Sequence, residues 1–182
     1  MFLVRVVTQT RLDLEQRKRE QPLEELQRLV AAQPAPLDLY KALQATGPGP
    51  DVKLIAEVKR ASPSKGLLAP YIDAVELART YEANGAAAIS VLTEPHFFLG
   101  SPEHLRAIKR AVHVPVLRKD FIFDAYQVYE ARAWGADAIL LICTLLDDRE
   151  LRRLLGLAQA LGMRCLVETH TAREAQRAVE AG

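Results

Sequence analysis

Three stretches of this chain repeat one pattern: an amphipathic helix, a closing glycine, then a short apolar run. Asn84-Gly85 leads into AAAISVL, Trp134-Gly135 into ADAILLI, and Leu161-Gly162 into MRCLVE. Glycine just past a helix supplies the left-handed residue that ends it. Apolar runs of this length suit strands buried on both faces. Strand followed by helix, repeated, requires a parallel sheet with right-handed crossovers.

The whole second part of the sequence reads this way. Strands are expected at 54–58, 86–93, 115–121, 138–143 and 164–169. Helices are expected at 73–84, 102–112 with Ser101 as cap, 124–134, 147–161 and 171–181. Before them lies a differently textured section. Residues 10–20 are charged and helix-prone, with Thr10 and Asp13 near capping-box spacing. Pro22 fits the first position of a helix over 23–32, which carries Leu23, Leu26, Leu29 and Val30 on one stripe. Pro34 and Pro36 break the pattern, a short helix over 37–45 follows, and Gly47-Pro48-Gly49-Pro50 reads as a linker. The expected organisation is a helical extension over 1–50 packed on a β/α domain over 51–182.

Two α/β architectures fit, an open doubly wound sheet and a (β/α)8 TIM barrel. No G-x-G-x-x-G follows the first strand, which disfavours the dinucleotide-binding version. Charge placement favours the barrel, whose inward residues alternate along each strand and whose functional groups gather at the C-terminal strand ends. In LIAEVK, Ile55, Glu57 and Lys59 share one face while Leu54, Ala56 and Val58 share the other. The third strand ends in Lys119 and Phe121, the fifth in Glu168. Five units at about 26 residues each occupy 54–182, whereas eight would need about 208, so the chain is expected to cover about five of eight βα units of a longer protein.

Glu57, Lys59, Lys119 and Glu168 therefore form the candidate catalytic set. A lysine beside carboxylates in a cleft suits proton transfer. Arg60-Ala61-Ser62-Pro63-Ser64-Lys65-Gly66 offers hydroxyls, amides and cations that suit either an anion or a solvated connection. Phe97 and Phe98 lie in a loop, where one can line a flat substrate and the other staple the loop. His96, His104, His113 and His170 share no metal-ligand spacing.

Composition narrows the function classes. The chain is 182 residues, 49% hydrophobic and 26% charged, with 24 Lys plus Arg against 23 Asp plus Glu. A net charge of +1 argues against sequence-independent nucleic-acid binding, which leans on a basic face. No apolar stretch approaches the roughly 20 residues of a membrane span. Cys143 and Cys165 sit inside apolar runs and read as reduced buried thiols, consistent with a cytoplasmic protein.

The segments IAEVKRASPSKG, SVLTEPHFFLGS, LRKDFI, GADAILLI and LVETHT, in this order and spacing, closely resemble the indole-3-glycerol phosphate synthase family. The resemblance implies a TIM barrel whose N-terminal extension packs over the barrel mouth. It implies conversion of 1-(2-carboxyphenylamino)-1-deoxyribulose 5-phosphate to indole-3-glycerol phosphate, with loss of CO2 and water and without cofactor or metal. By motif, Lys119 matches the general acid, Glu168 a proton-transfer carboxylate, and Glu57 and Lys59 the acid–base pair of the first strand. Ser62 lies in the substrate loop, while Phe98, Phe121 and Leu140 match apolar residues around the anthranilate ring. The family's Asn-Arg motif and its late phosphate loops have no counterpart here, so the acid–base half of the site is the part expected. The expected partner is a phosphorylated small molecule, with no nucleic acid or membrane, and the expected state is a monomer or weak homo-oligomer. The competing readings are a Schiff-base aldolase using Lys119 or Lys59, and a non-catalytic barrel module.

Overall fold

The computed structural model describes residues 2–44, 52–69 and 71–182. The Gly47–Pro50 linker and the proposed boundary between residues 50 and 51 lie outside them. Three helices come first: α1 (Phe2–Glu20), α2 (Leu23–Ala32) and the short α3 (Leu39–Leu43). Then follow β1 (Ile55–Val58), the two-residue strands β2 (Ala61–Ser62) and β3 (Gly66–Leu67), and α4 (Ala74–Ala83). The remaining units are β4 (Ala88–Leu92) with α5 (Pro102–Ala111), β5 (Val116–Lys119) with α6 (Ala125–Ala133), β6 (Ala138–Ile142) with α7 (Asp148–Ala160), and β7 (Arg164–Glu168) with α8 (Ala172–Ala181).

The main sheet is parallel throughout, in the order β1-β4-β5-β6-β7, and β2 pairs with β3 as a separate antiparallel ribbon. Burial follows position. Central strands β4 and β6 are buried at every residue, whereas β1 and β7, at the two ends of the order, are buried less. This is why the central runs carry no alternation and β1 does. Gly85, Gly135 and Gly162 close their helices at φ of 88°, 93° and 79°.

Each strand separates two environments. Ala56, Val58, Ile89, Val91, Val116, Ile139 and Leu141 face outward into the large core formed with the helices. Inward-facing Ile55, Ala88, Leu117 and Ala138 form a smaller cluster at the N-terminal strand ends, sealed by Leu39 and Leu43 of α3. Functional groups are thereby left to the opposite, C-terminal ends.

Strand β5 stops at Lys119, which leaves Phe121 in the loop beyond it, and further expectations also need correction. The first helix begins at Phe2, not near residue 10, because Val6, Thr10 and Leu14 form one buried stripe at four-residue spacing. Thr10 is accordingly a buried mid-helix residue rather than a cap, and Asp13 pairs with His96 at 2.8 Å. The loop after β1 folds back as the β2–β3 ribbon. Strand β6 stops at Ile142, and Cys143 opens a 3-10 turn.

Two carboxylates fasten the N-terminal section to the sheet. Buried Asp137 accepts hydrogen bonds from the Leu37 and Val116 amides, both at 2.7 Å, and pairs with Lys109 at 2.6 Å. Asp38 caps α3 through the Tyr40 and Lys41 amides and pairs with Arg164 of β7 at 2.9 Å. The Arg164 guanidinium first, then the cap amides, hold the Asp38 carboxyl down to about 2. A depressed carboxylate stabilises the fold above the unfolded value of about 3.9, and this contribution is lost as pH falls through about 2. Asp38→Asn is therefore expected to melt below the parent at neutral pH. The difference should close between about pH 4 and pH 2, as read by thermal melts across that range.

Candidate active site

The strand alternation that buries apolar residues on one face delivers four charged side chains to the other. Glu57 lies on β1 and Lys59 just past it, Lys119 ends β5, and Glu168 ends β7. Lys59 is ion-paired with Glu57. Lys119 Nζ lies 4.0 Å from Glu57 Oε2 and 3.6 Å from Glu168 Oε2. Alternate strands stand about 9.6 Å apart, twice the strand spacing. Lys119 nevertheless reaches β1 and β7, two strands away on either side, so the three strand ends project into one shared space. The four side chains are 27–35% exposed, which leaves them open to a ligand while packing limits their freedom.

The charges alternate along the rim. Beyond Glu168, His170 Nε2 lies 3.3 Å from Glu168 Oε1, and His170 Nδ1 lies 3.9 Å from Glu174. Glu174 also accepts from the His170 amide and the Thr144 hydroxyl. Those contacts hold its carboxyl below the usual range, the His170 amide contributing most. Lys119 Nζ thus has an acidic side chain on each side, and Glu168 lies between Lys119 and the His170 ring.

Two adjoining hollows take up the candidates. One, of about 340 Å³, is lined by Lys119, Glu168, Phe98, Phe121 and Leu140 among others, so charge and apolar wall face the same space. The second, of about 860 Å³, is lined by Lys59, Ser62, Ser64, Lys65 and Arg5, with Phe97 and Phe98. Phe2 and Phe98 belong to both. Glu57 lines neither and joins them through its contacts with Lys59 and Lys119. Phe98 and Phe121 meet at a tilt of 39° with ring centres 6.0 Å apart, and Phe2 meets Phe97 edge-on at 5.5 Å. Both Phe97 and Phe98 meet Phe2 of α1 and line the larger hollow, and Phe98 also lines the smaller one beside Lys119.

Some lining residues escaped the sequence reading. Leu92 and Ile142 continue the inward alternation of Ala88-Ser90 and Ala138-Leu140, so that signal was available. His170 stands two residues beyond Glu168 and shares its side, again a readable spacing. Phe2 and Leu3 reach the cleft from α1, and no local pattern announces that contact.

A parallel βα sheet with charged side chains and an apolar slot gathered at its C-terminal strand ends is the arrangement of TIM-barrel enzymes. A profile of the indole-3-glycerol phosphate synthase family matches residues 3–182. Enzymes named indole-3-glycerol phosphate synthase from Dehalococcoides mccartyi and Carboxydothermus hydrogenoformans are 52% and 46% identical over 99% and 100% of this chain. The Micrococcus luteus enzyme of that name is 51% identical over 99% of it. The chain spans 70% of the first two relatives and 68% of the third. The chain belongs to the indole-3-glycerol phosphate synthase family, and its described residues form five βα units. Solved mandelate oxidase structures share the fold at TM-scores of 0.53 and 0.54 with 16% and 15% identity. They match 72% of this chain, which spans 48% of theirs. Among the described residues, no helix is long and apolar enough to cross a membrane.

Proposed function

We propose that the cleft closes the pyrrole ring of 1-(2-carboxyphenylamino)-1-deoxyribulose 5-phosphate to give indole-3-glycerol phosphate. The observation that carries this reading is Lys119 Nζ, set 4.0 and 3.6 Å from two carboxylates beside an apolar slot. Ring closure forms a bond between the carboxylate-bearing aromatic carbon and the ribulose carbonyl carbon. The carbonyl oxygen must gain a proton as that bond forms, and the Lys119 ammonium supplies it and offsets the developing negative charge. The carboxylate leaves as CO2 and returns its electron pair to the ring. The new hydroxyl then leaves as water, with Lys59 as acid, and Glu168 or Glu57 removes the remaining proton. Phe98, Phe121 and Leu140 hold the flat anthranilate ring, and Ser62 with Lys59 and Lys65 faces the polar end of the substrate.

In the same reading, residues 1–50 form a helical extension and 51–182 the barrel portion. The protein works in the cytoplasm on a phosphorylated small molecule, as a monomer or weak homo-oligomer. Phe2 against Phe97 and Phe98 supports the extension's place at the mouth.

A barrel aldolase using Lys119 or Lys59 would pass through an imine, whereas acid–base ring closure forms none. The full-length enzyme incubated with substrate and cyanoborohydride at neutral pH, which reduces imines but spares the ketone, is expected to release CO2, develop the indole absorbance and retain its unmodified mass. A reduced adduct on either lysine would overturn the proposal.

A further inference from the structure

The loop joining β4 to α5 presents Phe98 to the cleft, yet it contains neither helix nor strand to hold it. What holds it is Glu94. This residue is 2% exposed although its side chain is acidic. Its Oε1 accepts from the His96 amide at 3.0 Å, and its Oε2 accepts from the Phe97 and Phe98 amides at 2.7 and 3.0 Å. Three successive backbone donors thus converge on one buried carboxylate, which fixes the direction of the chain at both aromatic residues.

The exit from the turn is equally constrained. The Glu94 carbonyl accepts from Gly100 at 2.8 Å, and the Leu92 carbonyl accepts from Ser101 at 3.3 Å. Leu99 adopts φ 52°, a left-handed conformation that a leucine rarely holds without such closure. A Cβ at position 100 would lie 2.4 Å from the Leu92 carbonyl oxygen, so the loop folds back onto its own strand. On the outside, His96 pairs with Asp13 of α1.

We propose that Glu94 is a positioning residue that sets the Phe98 wall of the cleft, and with it the fit of a flat aromatic substrate. This deepens the function proposed above and rests on it. Glu94 does not line the aromatic hollow and acts through Phe98.

The test is a double-mutant cycle in the full-length enzyme, reading kcat, KM and calorimetric Kd for indole-3-glycerol phosphate. Glu94→Ala is expected to raise KM and product Kd about tenfold or more, the scale of a lost apolar pocket contact, with a smaller change in kcat. Phe98→Ala should do the same. The pair together should lose no more than Phe98→Ala alone, because Glu94 works through that ring. Glu94→Gln keeps the shape and one acceptor oxygen, and is expected to recover part of the affinity. It also carries the test if the alanine variant does not fold. Unchanged KM and Kd in both Glu94 variants, or additive losses in the cycle, would overturn the positioning role. A parent enzyme that neither binds the indole product nor turns over would remove the functional reading itself.

Discussion

Lys119→Ala in the full-length enzyme is expected to lower kcat by about 10²- to 10⁴-fold, the usual worth of a positioned general acid. That corresponds to about 3–5.5 kcal/mol of transition-state stabilisation, at about 1.4 kcal/mol per tenfold. The loss should fall on kcat more than on KM. Proton donation is realised only as the carbonyl oxygen gains charge, so it discriminates transition state from ground state. Folding should suffer little. Lys119 is 31% exposed at the strand end, and Glu57 keeps Lys59 as a partner after the truncation.

Lys119→Arg separates charge from proton transfer. Arginine preserves the cation between Glu57 and Glu168 but does not give up a proton at neutral pH. If Lys119 only neutralises charge, the arginine variant should recover most of the lost rate. If it donates the proton, recovery should be slight. Steady-state assays of parent and both variants decide the matter, and near-parental turnover by the alanine variant would end the assignment.

The two layers of this protein were not equally visible in its primary structure. Parallel βα units follow from local signals, because helix-closing glycines and buried apolar runs act within a dozen residues. The α2 boundaries were legible for the same reason, with Pro22 and the leucine stripe marking them. The start of α1 was not. Its buried stripe is narrow, with Val4 and Leu12 exposed beside it, and polar Thr10 lies within the stripe. The β2–β3 ribbon pairs only two residues on each side, too few to show a period.

Site residues divide along the same line. Glu57, Lys59 and Glu168 can be placed on inward faces by counting along a strand, and so can Leu92 and Ile142. Phe2 reaches the cleft through a contact nearly a hundred positions distant in the chain, which only the packed α1 creates. Glu94 is the sharper case. Its sequence neighbours, Thr93 and Pro95, mark a loop, and nothing local says that its carboxylate is buried under three amides.

Arg118 shows what counting could have raised. In LRKDF it alternates with Leu117 and Lys119, which places its charge on the outward face among apolar helix contacts. Its side chain is 1% exposed there. The guanidinium donates to Asp120 at 2.9 Å, to the Thr93 hydroxyl at 3.2 Å and to the Gln127 carbonyl at 2.9 Å. It reaches Glu130 at 3.5 Å and lies 4.2 Å from the centre of the Trp134 ring. Glu130 in turn holds Arg17 of α1 at 2.6 Å. One buried cation therefore links β5, α6 and, through Glu130, the N-terminal helix.

Arg118→Met should consequently cost about 3–5 kcal/mol of stability, the scale seen when one member of a buried pair is removed and its partner is left charged. For a chain of this size that is a fall in Tm of roughly 6–20 °C. Glu130 keeps Arg17, so Asp120 bears most of the loss. Asp120 also accepts from the Phe121 amide at 2.8 Å and sits next to Lys119, so catalytic rate should drop even well below the melting temperature. Arg118→Lys retains a charge but not the fork, and should fall between parent and methionine variant. Adding Asp120→Asn to the methionine variant should restore part of the stability, because the stranded charge is what costs most. Urea melts of the four proteins measure this directly. A loss below about 1 kcal/mol for Arg118→Met would mean that water or a rearranged Arg17 reaches Asp120, and that the cation adds little to the other links between sheet and extension.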